Sequence, residues 1–293
     1  MEKIANFIDY LRFEKRYSAH TLTAYRTDLL QLQSFLNDEF DTPHVKDATA
    51  GAMRSFMAQL MNSGVSARSI TRKLDTCRSF FKYLVQEGVI AKNPLSSISA
   101  PKAPSRLPAF ADERTMNKLS VMPAAEDFTE LRNRLIITML YHTGMRLSEL
   151  IGLKTENFNA QKQELKVLGK RNKERIIPIT RELADAITAY LDAKATVVNA
   201  DPVHLLVLDN GKKLYEKFVY RTVTAFFEMN STLEKKNPHM LRHTYATHML
   251  NAGADIQAIK EILGHSSLAA TQVYTHNNIE QLKKAHKNAH PRS

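Results

Sequence analysis

The sequence predicts a mainly α-helical protein with a small β-sheet, divided into an N-terminal helical domain and a C-terminal α+β domain. Three observations predict it. Apolar residues recur at helical spacing through most of the chain. One stretch, QELKVLGKRNKERIIPI at 163–179, instead alternates and carries a basic turn in its middle. Between the halves, KNPLSSISAPKAPSRLPAF holds Pro94, Pro101, Pro104 and Pro108, a density that no continuous helix tolerates and that gives an extended, semi-rigid connection. With 293 residues, a chain at roughly 150 residues per domain has room for about two. The expected boundaries are a first domain over 1–97, a linker over 98–109 and a second domain over 110–293.

The elements follow in order. Ile4, Phe7, Ile8 and Leu11 form one apolar helical stripe. Ser18 is a predicted N-cap for a second helix bearing Leu22, Tyr25, Leu29, Leu32 and Leu36. Met53, Phe56, Met57 and Leu60 mark a third, ended by the turn Asn62-Ser63-Gly64. Ser66 opens a fourth, with Ile70, Leu74, Cys77, Phe81 and Leu84 on one face and Gly88 closing it. In the second half, Phe128–Tyr141 reads as a mostly buried helix, dominated by Leu131, Leu135, Ile136, Met139 and Leu140. Thr143-Gly144 breaks it, and Leu147, Leu150 and Ile151 begin another. Leu165–Leu168 and Arg175–Ile177 are the arms of a hairpin, with Gly169 to Glu174 as its turn. Helices are expected over 182–191, 215–229, 239–251 and 256–263, and a basic helical tail over 279–289.

Composition narrows the function classes. The single cysteine, Cys77, excludes an internal disulfide framework and a cysteine-based zinc site. It sits on the apolar side of its helix, the place of a small core residue in a reducing cytoplasm. No run nears the ~18 apolar residues of a membrane span, and the charged start MEKIANFIDYLRFEKR does not read as a signal peptide. The net charge of +11 favours a polyanionic partner. Basic residues are spread along the chain and no lipidation motif is present, so nucleic acid is preferred over a membrane surface. Arg68 and Arg72 share one helix face, and Lys217 and Arg221 repeat that spacing in the second domain. Either pair alone is ordinary solvated surface; together, one in each domain, they suit a protein that clasps duplex DNA and contacts it through its grooves.

Five segments carry chemistry: TGMRLSELIGL at 143–153, LGKRNKER at 168–175, HMLRHTYATHML at 239–250, LGHSS at 263–267 and VYTH at 273–276. Together they resemble the tyrosine recombinase (phage-integrase) family, most closely its Xer-type bacterial members. SAHTLTAYRTDL and SITRKLDTCRSFFKYL in the first half resemble that family's core-binding helices, so the resemblance covers nearly the whole chain. It implies a SAM-like core-binding domain followed by a recombinase catalytic domain. Carried over position by position, it implies a catalytic set of Arg146, Lys170, His239, Arg242, His265 and the nucleophile Tyr274. Many relatives have glycine after the hairpin lysine; here Arg171 stands there, and with Lys173 it joins the candidate DNA contacts.

These residue types suit attack on a phosphodiester. The phosphorane transition state gathers negative charge on its non-bridging oxygens, which the planar forks of Arg146 and Arg242 would hold. A phenol with a pKa of about 10 needs help to attack at neutral pH; His239 would take its proton. Lys170, with Lys173 as the fallback, would protonate the leaving 5′-oxygen, and His265 would bind the phosphate. A 3′-phosphotyrosyl link stores the bond energy, so neither ATP nor a metal or other cofactor is expected. His239 and His243, four apart, could suggest zinc, but no glutamate lies between them and no third ligand is evident. Tyr141 and Tyr245 compete for the nucleophile's role, Tyr245 from inside a helix where packing is the simpler reading.

The resemblance further implies double-stranded DNA as substrate and a homo-tetramer on paired sites, or a hetero-tetramer with a second recombinase. It also implies a DNA-translocase activator, chromosome-dimer resolution and a cytoplasmic setting. The alternatives are an integrase or invertase of a mobile or phase-variable locus, a phosphotyrosine-type topoisomerase, and a catalytically silent DNA-binding regulator. The tail THNNIEQLKKAHKNAHPRS would dock on a neighbouring subunit through Ile279 and Leu282. Deleting residues from Ile279 onward is then expected to impair pairing of two sites more than binding to one. Gel-shift and synapsis assays on the same preparations check this, and equal loss of both counts against docking.

Overall fold

The structure, a computed structural model, describes residues 2–101, 110–121, 125, 127–169, 173–234 and 236–264. It is mainly helical with one small antiparallel sheet, as the apolar periodicity predicts. The chain divides into two compact units, residues 1–106 and 107–293, so the division falls inside the proline-rich stretch. The expected helical tail lies outside the described residues.

The first unit is built on four helices, α1 (Glu2–Phe13), α2 (Ala19–Phe40), α3 (Ala50–Asn62) and α4 (Ala67–Gln86). Their starts are chemically specified. Ser18, Thr49 and Ser66 each accept a hydrogen bond from a backbone N–H in the first turn, at Thr21, Ala52 and Ser69. The predicted stripes face inward: Phe7, Leu29, Leu32, Met53, Leu74 and Phe81 are buried in one core. Each such side chain contributes about 1.5–3 kcal/mol by leaving water. Cys77 lies in that core, and burial pushes its thiol up to about 12, so it is an inert packing residue. After α4, Gly88 takes a left-handed conformation (φ +67°), and Leu95 and Ile98 return to the same core.

Among the described residues of this unit, one charge is buried. Asp28 of α2 accepts a bidentate pair from Arg72 (2.6 and 2.9 Å) and bonds from Lys73 Nζ (2.9 Å) and Thr76 Oγ1 (3.1 Å), all on α4. The carboxylate is almost wholly enclosed while Arg72 is half-exposed, so the group ties α2 to α4.

The second unit contains α5 (Glu113–Val121), α6 (Phe128–Thr143), α7 (Leu147–Gly152), β1 (Phe158–Asn159), β2 (Glu164–Leu168), β3 (Glu174–Pro178), α8 (Arg181–Lys194), α9 (Glu216–Asn230), α10 (Pro238–Asn251) and α11 (Ile256–Leu263). The central α6 touches α7, α8, α9 and α10, which is why it is apolar on most sides. Its Arg132 is fully buried, bonded to Asp209 at 2.8 Å and laid over the rings of Phe128 and Phe218. The sheet runs β1-β2-β3, and the hairpin pairs Leu165 with Ile177 and Val167 with Arg175. The two-residue β1 and the helix α5 are additions to the elements the sequence signals.

Asp28→Ala is expected to cost about 2–3 kcal/mol, the low side of a broken buried pair because Arg72 can turn to water. Urea unfolding of the full-length chain measures it, and a loss under about 0.5 kcal/mol would mean the cluster ties nothing.

Candidate active site

The turn after α6 begins the site. Gly144 caps the helix in the left-handed region (φ +58°). A Cβ there would stand 2.6 Å from both Leu263 and Tyr245, so only glycine lets this turn lie flush on α10 and the end of α11. The chain then turns into α7 with Arg146 at its N-cap.

Glu149, one turn into α7, is the pivot of what surrounds Arg146. Its Oε1 accepts from Arg146 Nη1 (2.8 Å) and Arg175 Nη1 (2.8 Å). Its Oε2 accepts from the Arg146 backbone N–H (2.7 Å) and Arg175 Nη2 (2.9 Å). Four donors fill the carboxylate's capacity. Burial alone would raise its pKa, but the bonds and charges of Arg175 and Arg146 outweigh burial and hold it at about 2. It is an anion at any working pH.

Arg242 reaches the same place from α10. Its Nη1 donates to the Gly144 carbonyl and its Nη2 to the Leu263 carbonyl, both at 2.7 Å. Arg146 Nη2 donates to the next carbonyl, Gly264, at 3.0 Å. Burial, then the nearby charge of Arg146, pulls the Arg242 pKa down to about 10, which still leaves it cationic at neutral pH. Three guanidiniums thus gather round one carboxylate. The positive surplus is unmatched among the described residues. Each of Arg146 and Arg242 uses two side-chain nitrogens on the protein and keeps further N–H donors for an anion. The Arg146 side chain is 22% exposed and that of Glu149 only 2%, so the cation faces outward and its counter-charge is shut in.

The other predicted residues are distributed as follows. His239 lies on α10 one turn before Arg242 and is exposed. Lys173 closes the hairpin turn, its carbonyl accepting from the Gly169 N–H at 2.7 Å, and is exposed. Lys170, Arg171, His265 and Tyr274 lie outside the described residues. Lys217 and Arg221 are exposed on α9, where Arg221 donates to the Tyr215 hydroxyl at 2.7 Å. Arg68 is exposed on α4, and Arg72 is engaged by Asp28. The structure therefore brings Arg146 and Arg242 together, and adds Glu149 and Arg175, which the sequence shows only as part of the TGMRLSELIGL segment and as a strand residue. Strand alternation could have found Arg175: it shares the inward face with Ile177, and a buried cation demands a partner.

The competing tyrosines are both buried. Tyr141 bonds His248 Nδ1 at 2.9 Å. The Tyr245 hydroxyl has no hydrogen-bond partner among the described residues, and burial pushes its pKa upward, the opposite of what a nucleophile needs. Among the described residues, no three His, Cys, Asp or Glu side chains are grouped to hold a metal, and no helix is long and apolar enough to cross a membrane.

Residues 112–281 match the phage integrase family, and residues 4–88 match the phage integrase N-terminal SAM-like domain. Tyrosine recombinase XerC of Staphylococcus carnosus (strain TM300) is 36% identical, over 100% of this chain and 99% of that one. XerC of Listeria monocytogenes serovar 1/2a is 37% identical, over 98% and 97%. In fold, the chain is similar to the XerH site-specific recombinase bound to a palindromic difH substrate (TM-score 0.70, 20% identity, 96% of this chain and 82% of that one). It is similar likewise to the Tn1549 transposon integrase in complex with circular intermediate DNA (TM-score 0.70, 18% identity, 95% and 97%). With a catalytic-domain match over more than half its length and relatives of this identity end to end, the chain belongs to the phage integrase family, the tyrosine recombinases.

Proposed function

We propose that this protein is an Xer-type site-specific recombinase that cleaves and rejoins duplex DNA through a 3′-phosphotyrosyl intermediate, with Tyr274 as nucleophile. The observation that carries it is the convergence of Arg146 and Arg242, from distant parts of the sequence, on the backbone of Gly144, Leu263 and Gly264. Their surplus charge suits a phosphate whose negative charge grows as the phenol oxygen attacks. His239, exposed on the helix that carries Arg242, takes the phenol proton. Lys170, or Lys173 beside it in the turn, protonates the departing 5′-oxygen, and His265 bonds the phosphate. The reverse attack by a 5′-hydroxyl of another duplex reseals the strand and needs no ATP. No resident metal enters the mechanism.

The biological role in this reading is chromosome-dimer resolution, in the cytoplasm, on paired sites held by four subunits; it follows from the Xer-type resemblance, with which the relatives' name, tyrosine recombinase XerC, agrees. Whether those four are one protein or include a second recombinase is decided by the partner, and a DNA-translocase activator fits the same role. In this reading residues 1–97 are the core-binding domain and 98–109 the linker to a catalytic domain over 110–293. Arg68, Arg72, Arg171, Lys173, Lys217 and Arg221 contact DNA.

Genomic DNA fragments nicked to trap the intermediate are expected to form a covalent adduct with the wild-type protein and none with Tyr274→Phe. Denaturing gels with the DNA end labelled read the result, and sequencing the trapped fragments gives the site. An adduct retained by Tyr274→Phe would remove Tyr274 as nucleophile, and absence of adduct from both proteins would leave a DNA-binding regulator.

A further inference from the structure

Arg175 is a buried cation that the candidate site's chemistry leaves unused. It is 5% exposed, and its hydrogen bonds all end within the protein. Two go to Glu149 and the third runs from Nε to the Ile262 carbonyl at 2.6 Å. That last bond takes up a carbonyl in the final turn of α11, where the helix leaves acceptors unpaired.

Two glycines press against this side chain. A Cβ on Gly264 would stand 3.2 Å from Arg175 Cδ and 3.3 Å from its Nε and Nη1. A Cβ on Gly169 would stand 3.6 Å from Arg175 Nη1 and 3.7 Å from Glu149 Oε1. The backbone of both residues therefore lies beside the Arg175–Glu149 pair. Gly169 is the residue before Lys170 and Gly264 the residue before His265. The same carboxylate also carries Arg146, whose remaining bond reaches Gly264.

We propose that Arg175 is a positioning residue of the strand-transfer site: its guanidinium fastens Glu149, and through it Arg146, to the root of the β2–β3 turn and to the last turn of α11. The phosphate-binding arginine and the two chain segments that continue past Gly169 and Gly264 then start from one rigid origin. Only arginine does this, because the fork holds both carboxylate oxygens while Nε is still free for the Ile262 carbonyl. Lysine would keep the charge and lose the fork. The inference rests on the recombinase reading and goes beyond it, since the buried Arg175 would act through Glu149 rather than on the DNA itself.

The test uses the full-length protein and a nicked duplex bearing the site recovered by trapping. Affinity for the intact site and the rate of adduct formation at saturating protein are measured from pH 5 to 8. In Arg175→Met the adduct rate is expected to fall about 10- to 100-fold, the scale of a small misplacement of reacting groups. Site affinity should change less than roughly threefold, because the loss lies in the transition state. The pH profile should change as well. In the wild type Glu149 is ionised throughout this range and contributes a flat rate. Without Arg175 its burial is less well offset, its pKa rises, and the rate should drop as pH falls through the new value. Glu149→Gln in the Arg175→Met background should remove that acid limb, and Arg175→Lys should recover part of the rate. Rate and affinity falling together in proportion to the folded fraction, with an unaltered pH profile, would reduce Arg175 to a packing residue and overturn the proposal. Wild-type protein that forms no adduct would instead remove the recombinase reading, and this inference with it.

Discussion

One enclosed carboxylate decides how the arginine cluster of the candidate site can exist. Guanidiniums brought together in a partly dry pocket repel each other, and each loses hydration. Glu149 offsets both penalties for Arg146 and Arg175 with four short bonds to its two oxygens. Arg242 gets no direct bond from it and is held by carbonyls instead; burial, then the charge of Arg146, draws its pKa down, while the bonds and charges of Arg175 and Arg146 hold that of Glu149 down against burial. The balance stays positive by design of the bonding: the anion is spent inside the protein and the cationic edges are left outward. A second carboxylate would halve the positive surplus, and without the first Arg146 and Arg175 would lose the anion that fixes them.

The fold supplies this arrangement through backbone rather than through side-chain reach. Arg146 and Arg242 are aimed by carbonyls at Gly144, Leu263 and Gly264, which all lie at helix ends. Helix C-termini leave carbonyls unpaired, so two such ends, those of α6 and α11, offer acceptors for guanidinium donors. Left-handed glycines at both ends keep these carbonyls close to α10 and to β3. Helix α10 is anchored in turn from the segment that enters the second unit, where the Ala111 N–H donates to Thr244 and the Phe110 ring meets His243 and His248 edge-on.

Local chemistry made much of the fold legible in the sequence. Ser18 and Ser66 sit immediately before apolar stripes, and both cap helices. Ile256–Leu263 was readable because Gly264 ends the stripe. Helix α5 was not, since among the described side chains Met116 and Leu119 are its large buried apolar ones and two residues make no period. The pair β1 is too short to alternate. In the site, Arg146 and Arg242 were visible through family resemblance, whereas Glu149 is a tertiary fact and Arg175 shows only in the alternation that puts it on the face of Ile177. A charged residue beside a basic turn looks like surface until strand pairing places it opposite Val167. Lys170, Arg171, His265 and Tyr274 fall outside the described residues, so their roles stand on the resemblance and the chemistry.

The cluster at Asp28 bears on how strongly α4 can answer to ionic strength. Cations that meet phosphates release condensed counterions, about 0.9 per duplex phosphate contact. Arg72 and Lys73 share a single internal anion, so between them they retain one net positive charge rather than two. On this helix Arg68 is the arginine of the predicted pair whose charge remains wholly outward. A tally of basic residues along α4 therefore overstates the number of ions that duplex binding would set free.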